Sequence, residues 1–342
     1  MAGETPDPTT AKPPRSRRWI PLSLKAFLAM LLLLGMGGLW FGARGYRQIV
    51  AIREIEQAEG HVQTEKGGPE WLRARVGDEW MRSLDKVTHV ELIGSVDAQE
   101  ALPGLREFAH LKSLWLDGMS VTDAALVNLK GLTELTELSL DDTSVSDAGL
   151  EHLQGLRRLK WLGLSNTEVT DAGLKHLRGL ADLERLHIDR VKRTISGLNV
   201  LEQAIDNPRI TGSGLEHIAG LTRLELLSLR GAHVTDAGLS HLKRLTSLKY
   251  LWLEKAHVTD EGLAQFEGMT QLVYLSLEDT EVTDAGLVHL KGLTRLGKGP
   301  ESEFPPYRPG WERGGLNLSS TQVTLEGIAE LKEALPDLPV WR

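Results

Sequence analysis

The chain has 342 residues, 41% of them hydrophobic and 25% charged, and no cysteine, which excludes disulfide frameworks, thiolate metal centres and cysteine nucleophiles. Its net charge of -8 is uneven: residues 1–53 hold eight Lys or Arg against Glu4 and Asp7, a balance of +6, leaving -14 (-8 minus 6) on the remainder. So acidic a body argues against a general nucleic-acid binder, whose basic face must displace phosphate counterions.

Residues 1–18, MAGETPDPTTAKPPRSRR, are Pro-rich and nearly free of large apolar side chains, so they are expected to be a disordered tail. The adjoining AFLAMLLLLGMGGLWFGA, residues 26–43, carries no charge and extends back to Trp19 if Lys25 snorkels. At about 1.5 Å per residue it is long enough to cross a hydrocarbon layer of about 30 Å. Residues 19–43 therefore read as a transmembrane helix. A cleaved signal peptide fits less well, because a cut after Ala43 would set Phe41 where a small residue is wanted. Five Lys or Arg precede the span and three come closely after it, so a single-pass membrane protein is expected, its N-terminus cytoplasmic and its large C-terminal part periplasmic or extracellular. Gly38 and Gly42 form a G-x-x-x-G pair, a spacing common by chance.

Residues 44–86 place Ile49, Ile52 and Ile55 at helical spacing, then Trp71, Leu72, Val76, Trp80, Met81 and Leu84. This segment is expected to be a juxtamembrane helix and a cap over the apolar end of a repeat array.

The array itself is plain in the remainder of the chain. LTELTELSLDDTSVSDAGLEHLQG at residues 132–155 matches LRRLKWLGLSNTEVTDAGLKHLRG and LTRLELLSLRGAHVTDAGLSHLKR. Apolar residues recur as L-x-x-L-x-L from Val87, Leu111, Leu135, Leu159 and Leu183, and again from Leu224, Leu248 and Leu272, with a period of 24. The spacing from Leu183 to Leu224 is 41, one period plus 17, and the next strand is displaced by 17 again, to Leu316 and Leu318. Two insertions, near 190–209 and 297–315, therefore interrupt an otherwise constant register. The L-x-x-L-x-L half alternates like a strand, whereas VTDAGL spaces its apolar residues like a helix. Thr170 and its equivalents stand at the helix N-cap, and the Asp after each lies in the first turn, favoured by the dipole. Gly155, Gly179, Gly220, Gly268 and Gly292 are placed to end each helix at positive φ. No unit hides its leucines alone, and stacking buries them.

The pattern resembles the leucine-rich repeat family, with VTDAGL tails as in the repeats associated with F-box proteins. With the basic tail, the span and the closing LPDLPVW, it also resembles bacterial membrane-anchored leucine-rich repeat proteins. No F-box precedes the array. The resemblance implies an α/β fold: a right-handed solenoid of about nine 24-residue units over residues 87–342, parallel strands inside and short helices outside. The family's usual Asn or Cys is replaced here by Met119, Thr143, Thr167, Ala232, Ala256, Thr280 and Thr321, which predicts a buried ladder weakened or rebuilt from threonine hydroxyls.

In that family the variable strand positions face the concave side and carry partner-binding residues. Here they offer Trp115, Trp161, Tyr250, Trp252 and Tyr274, with Asp117, Asp141, Arg185, His187, Arg230, Glu254 and Glu278 around them. Asp189 belongs to the same acidic fringe. Aromatics on an exposed sheet, fringed by carboxylates, are the composition of a protein-binding hot spot. Trp252, Tyr250 and Tyr274 are expected in one patch, Trp115 and Trp161 in a looser second group. A membrane-tethered module binding a protein or peptide is the resulting expectation. Alternatives are a glycan or cell-wall adhesion module and a metal-dependent enzyme. His152, His176, His217, His241 and His289 form one column, but a single His per unit brings no second ligand from its own unit. The sequence carries none of the G-x-x-x-x-G-K-[ST], H-E-x-x-H or G-x-S-x-G motifs, so neither cofactor nor catalytic residue is assigned. The insertions add Arg190, Lys192, Arg193 and Arg209 in the first, and Phe304, Tyr307 and Trp311 in the second, each near a strand end.

Overall fold

The computed structural model describes residues 43–93, 100–196, 199–299 and 314–342. The expected tail, and all of the expected span but Ala43, lie outside these residues. Among the described residues no helix is long and apolar enough to cross a membrane.

The chain starts with a helix over residues 43–57, then β1 (His61–Glu65), short helices at Glu70–Val76 and Asp78–Met81, and β2 (Lys86–Glu91). The repeat strands are β3 (Ser113–Trp115), β4 (Glu137–Ser139), β5 (Trp161–Gly163) and β6 (Arg185–His187). An inserted block holds β7 (Val191–Ser196), β8 (Asn199–Ala204) and β9 (Asn207–Thr211). Then come β10 (Leu226–Ser228), β11 (Ala232–His233), β12 (Tyr250–Trp252), β13 (Tyr274–Ser276), β14 (Gly315–Asn317) and β15 (Val340–Trp341).

One sheet runs β1-β2-β3-β4-β5-β6-β10-β12-β13-β14-β15. Equivalent residues pair in parallel, as Leu138 with Leu162 and Leu251 with Leu275, while β1 alone is antiparallel. Because side chains alternate across a strand, Leu138, Leu162, Leu186, Leu227 and Leu251 point to the helix layer, where they join one continuous core. Ile52 and Ile55 close its first end against Val90, Leu92 and Leu105. Not all of the expected cap residues pack inward: Met81 is buried, but Trp71 and Leu84 are exposed.

The turn after most repeat strands carries the left-handed residue expected at the helix ends. Positive φ falls at Gly118, Asp142, Asn166, Gly231, Lys255, Asp279 and Ser320, after β3, β4, β5, β10, β12, β13 and β14 but not after β6, and Gly131 keeps it at a helix end. Gly155, Gly179, Gly220, Gly268 and Gly292 are not among the positive-φ residues. The helices instead tighten into 3-10 turns, as at Glu151–Leu153 and Lys175–Leu177, and the next leucine amide donates back, Leu156 to Leu153 at 2.9 Å. A 3-10 ending satisfies the last carbonyls without a left-handed residue.

The threonines in place of the usual Asn or Cys act locally. Thr143, Thr167, Thr280 and Thr321 each donate the hydroxyl to the carbonyl three residues back, at 2.6–2.7 Å. They fasten their own turn and build no bridge between units.

The bridge is made by the Asp of VTDAGL. Asp147 accepts from the amide and the hydroxyl of Thr170 in the next unit, both at 2.7 Å. Asp123 to Ser146, Asp171 to Thr211, Asp236 to Thr259, Asp260 to Thr283 and Asp284 to Thr324 repeat the arrangement. The same hydroxyl then caps its own helix, Thr170 Oγ1 accepting from the amide of Ala172 at 3.2 Å. The two bonds from Thr324 hold the Asp284 carboxyl below its ordinary range. This geometry explains the glycine of VTDAGL: a Cβ on Gly173 would lie 2.3 Å from Asp147 Oδ1, and one on Gly262 2.2 Å from Asp236 Oδ1.

The insertions enter at opposite ends of their strands. The first comes after β6 and is an antiparallel hairpin of β7 and β8, closed where the Ile205 amide meets the Arg190 carbonyl at 2.9 Å. The second precedes β14, and the amides of Gly297 and Gly315 both donate to the Val273 carbonyl at 2.9 Å. Gly297 thus holds the second strand position and Gly315 the third, with 17 residues, 298–314, spliced between them.

Candidate ligand-binding face

The sheet face opposite the core divides into two unlike halves. Toward the N-terminus, the Trp115 and Trp161 rings stack at 5.0 Å with an interplanar angle of 18°, and both are half-buried. They lie on β3 and β5, with β4 between them offering only Glu137 and Ser139 on this face. Gly163 makes room: a Cβ there would lie 3.1 Å from Trp161 Cη2 and 2.8 Å from Asp141 Oδ1. A polar relay supports the stack, in which Trp115 Nε1 donates to Ser113 Oγ (2.8 Å) and Ser113 donates to Glu137 Oε2 (2.9 Å). Ser139 donates to Asp117, and the His187 ring lies 5.8 Å from Trp161. Glu137 is exposed, and Asp117 and Arg185 are half-buried, so charge of both signs borders the rings.

Toward the C-terminus the expectation of an exposed aromatic patch is corrected. Trp252 is 1% and Tyr250 5% exposed, and with Leu226 and Val273 they form a second apolar cluster against which Tyr274 packs. Trp252 stands 6.3 Å from Tyr250 and 5.2 Å from Tyr274, and Tyr274 stands 6.2 Å from Trp341 on β15. The described ends of the second insertion press on this cluster, since a Cβ on Gly299 would meet Val273 Cγ1 at 2.7 Å and one on Gly314 at 2.8 Å. The rings are therefore core, as burying large aromatic area demands. Phe304, Tyr307 and Trp311 lie outside the described residues.

Of the charged residues expected on the face, Asp141, Asp189, Arg230 and Glu254 are buried and Glu278 is half-buried. Asp141 and Asp189 each spend one carboxylate oxygen on a backbone amide of the next unit, Ser165 at 2.7 Å and Arg230 at 3.0 Å, so they fasten turns and are not free for a partner. His187 is also buried. The Arg230 guanidinium lies 5.8 Å over the Trp252 ring, with Nε 3.3 Å from Glu254 Oε2. Glu278 accepts from Asn317 Nδ2 at 2.9 Å. Burial pushes the Glu254 carboxyl up to about 7, with Arg230 opposing the rise and Glu278 and Asp189 adding to it. Burial also raises the Tyr274 phenol.

Glu254 gives a pH signature. Its folded carboxyl keeps a proton that the unfolded chain releases above about 4.5, so its contribution to stability is full below that pH and is lost as the pH rises through about 7. Glu254→Gln should remove a fall on the order of 3 kcal/mol between about pH 4.5 and 7. Urea unfolding midpoints of the two proteins, compared across that window, check this. Parallel curves would contradict it.

On the helix side, His176, His217 and His289 each hydrogen-bond a side chain of the preceding unit, Gln154 (2.5 Å), Arg178 (2.6 Å) and Glu267 (2.6 Å). Among the described residues no three His, Asp or Glu side chains are grouped to hold a metal. Beside the hairpin a hollow of about 350 Å³ is lined by Arg190, Lys192 and Arg209, with Glu168 paired to Arg209.

No family model matches the sequence, and no curated protein matches it. Solved structures do. Internalin C2 from Listeria monocytogenes is 24% identical over 65% of this chain and 82% of its own, with a TM-score of 0.47. A leucine-rich repeat protein of Leptospira interrogans, LIC12759, is 16% identical over 69% of this chain and 56% of its own, with a TM-score of 0.46. The plant peptide hormone receptor RGFR1, in complex with RGF2, is 14% identical over 68% of this chain and 36% of its own, with a TM-score of 0.38. Independently of these, parallel L-x-x-L-x-L strands that pair at a 24-residue offset and are backed by short helices are a leucine-rich repeat architecture.

Proposed function

We propose that the chain is a membrane-tethered interaction module, displayed outside the cytoplasm, that takes a protein or peptide on the N-terminal half of its open sheet face. The observation that carries this reading is the Trp115–Trp161 stack: two half-exposed indoles set among Ser113, Glu137, Ser139 and Arg185. Large rigid aromatics with charge at their rim anchor protein interfaces. The acidic body favours a partner with a basic segment, drawn in by long-range attraction and seated against Glu137 and Asp117.

A sugar platform is the weaker reading. Glycans lie flat on an open ring face, and in this stack each indole turns one face to the other. Proximity labelling with tagged full-length chain, then capture with wild type and with the Trp115→Ala/Trp161→Ala double variant, tests the proposal. A partner retained by wild type should be lost at least about tenfold by the variant, the loss of about 1.4 kcal/mol or more that defines an anchor residue. Equal retention, or retention only on insoluble wall polysaccharide, would overturn it.

A further inference from the structure

We propose that the N-terminal cap is itself a membrane-contacting surface, with Tyr46, Trp71 and Leu84 seated in the lipid headgroup layer next to the span. The inference rests on the tethering proposed above and adds how the array stands on the bilayer. Tyr46 and Trp71 are each 67% exposed and Leu84 is 43% exposed. Ile93, Val288, Leu325 and Trp341, the other large apolar residues exposed among those described, lie on separate units, as ordinary surface residues do.

The three cap residues belong to segments that meet at one turn. Gly45 packs on that turn, where a Cβ would lie 2.7 Å from Ser83 Cβ, and Gln48 Nε2 donates to the carbonyls of Arg82 (2.9 Å) and Asp85 (2.7 Å). From the other side Gly68 approaches, its Cβ position 3.2 Å from Leu84 Cδ1, and the chain continues through Pro69 and Glu70 to Trp71. Gly45 is buried, and Tyr46, about 100° further round the helix, is exposed.

The sequence also sets the distance from the bilayer. The uncharged stretch ends at Ala43, three residues before Tyr46, a rise of about 4.5 Å along the helix. The headgroup layer is about 5–7 Å deep on each side of the hydrocarbon. Tyr46 therefore falls within it, and the turn at Ser83 holds the Leu84 side chain and the Trp71 segment close to the same level. Tyrosine and tryptophan favour this layer because an apolar ring carries a polar tip there. Arg47, 59% exposed though it pairs with Glu107 at 3.6 Å, follows Tyr46 and suits the phosphates.

The absence of cysteine makes the test direct. Full-length chain carrying a single fluorophore at Glu70→Cys, Leu33→Cys or Glu333→Cys is reconstituted into vesicles of phosphatidylcholine and phosphatidylglycerol, with nitroxide on the headgroup or on the acyl chain. The label at Glu70→Cys should be quenched about twofold or more by headgroup nitroxide, in keeping with interfacial depth, and the label at Glu333→Cys hardly at all. Tyr46→Glu/Trp71→Glu should abolish the first effect while acyl-chain quenching at Leu33→Cys persists. Quenching at Leu33→Cys with none at Glu70→Cys overturns the inference and leaves tethering standing. No quenching at either overturns both. Protection of the Glu70→Cys label from aqueous iodide without lipid quenching means that a second copy covers the cap, and overturns the inference.

Discussion

Gly262→Ala is expected to destabilise the array by about 3 kcal/mol, whereas Gly→Ala at an unconstrained helical position stabilises by about 0.4–1 kcal/mol. A methyl at this position lies 2.2 Å from Asp236 Oδ1, so the carboxylate must leave. Its departure breaks the bonds from the Thr259 amide (2.9 Å) and hydroxyl (2.7 Å), the tie between two consecutive units. Hydrogen bonds to a charged acceptor contribute about 1.5–3 kcal/mol each, and half-burial of Asp236 favours the lower figure. The check is a double-mutant cycle read by urea unfolding of the full chain in detergent. Asp236→Ala alone should cost nearly as much, and Gly262→Ala added to it should cost under about 1 kcal/mol, because the clash is gone. Strict additivity would show that the glycine serves its own helix. The chain contains a natural exception: after the first insertion the Asp position holds Gly212, and opposite it Gly238 approaches so closely that a Cβ on it would lie 2.3 Å from Gly212 Cα.

The period of 24, the splice lengths of 17 and the faces of the strands are legible because they depend on apolar spacing, which the sequence displays unit by unit. The partner of each recurring polar residue is not. Asp147 reads as a first-turn acid in its own helix, whereas its carboxylate serves Thr170 some 23 positions on, and only stacking distance reveals that. Likewise the positive-φ residue stands after the strand, where Asp142, Asn166 and Lys255 do not advertise it as glycine would. The two aromatic groups on the open face are legible in part. Trp115 and Trp161 have Ser113, Glu137, Ser139, Gly163 and Arg185 for face neighbours, whereas Trp252 and Tyr250 stand beside Leu226 and Val273, apolar residues at positions the leucine core does not use. That local run of apolar side chains marks a second core, and counting aromatics alone conceals it.

The same contrast yields the second large effect: Trp252→Ala should lower stability by about 3–5 kcal/mol, and Trp161→Ala by only about 1 kcal/mol. Trp252 is fully enclosed, packed on Tyr250, Tyr274 and Val273 with Arg230 over its ring, so truncation leaves a cavity that its neighbours cannot fill. Trp161 loses one stacked partner and exposes little that was dry. Denaturant unfolding of both variants measures the difference, and equal losses would place both rings in one environment and remove the division of the face. Glu254 supplies a second readout. Its carboxyl is raised because it is buried beside Arg230, so water entering the space left by Trp252 should bring it back toward the ordinary range and flatten the fall in stability between about pH 4.5 and 7. Trp161→Ala, remote from Glu254, should leave that slope intact while removing the proposed partner contact. Stability and recognition would then be carried by different tryptophans of one sheet face, and the second apolar cluster would be what keeps the strands rigid enough to present the first pair.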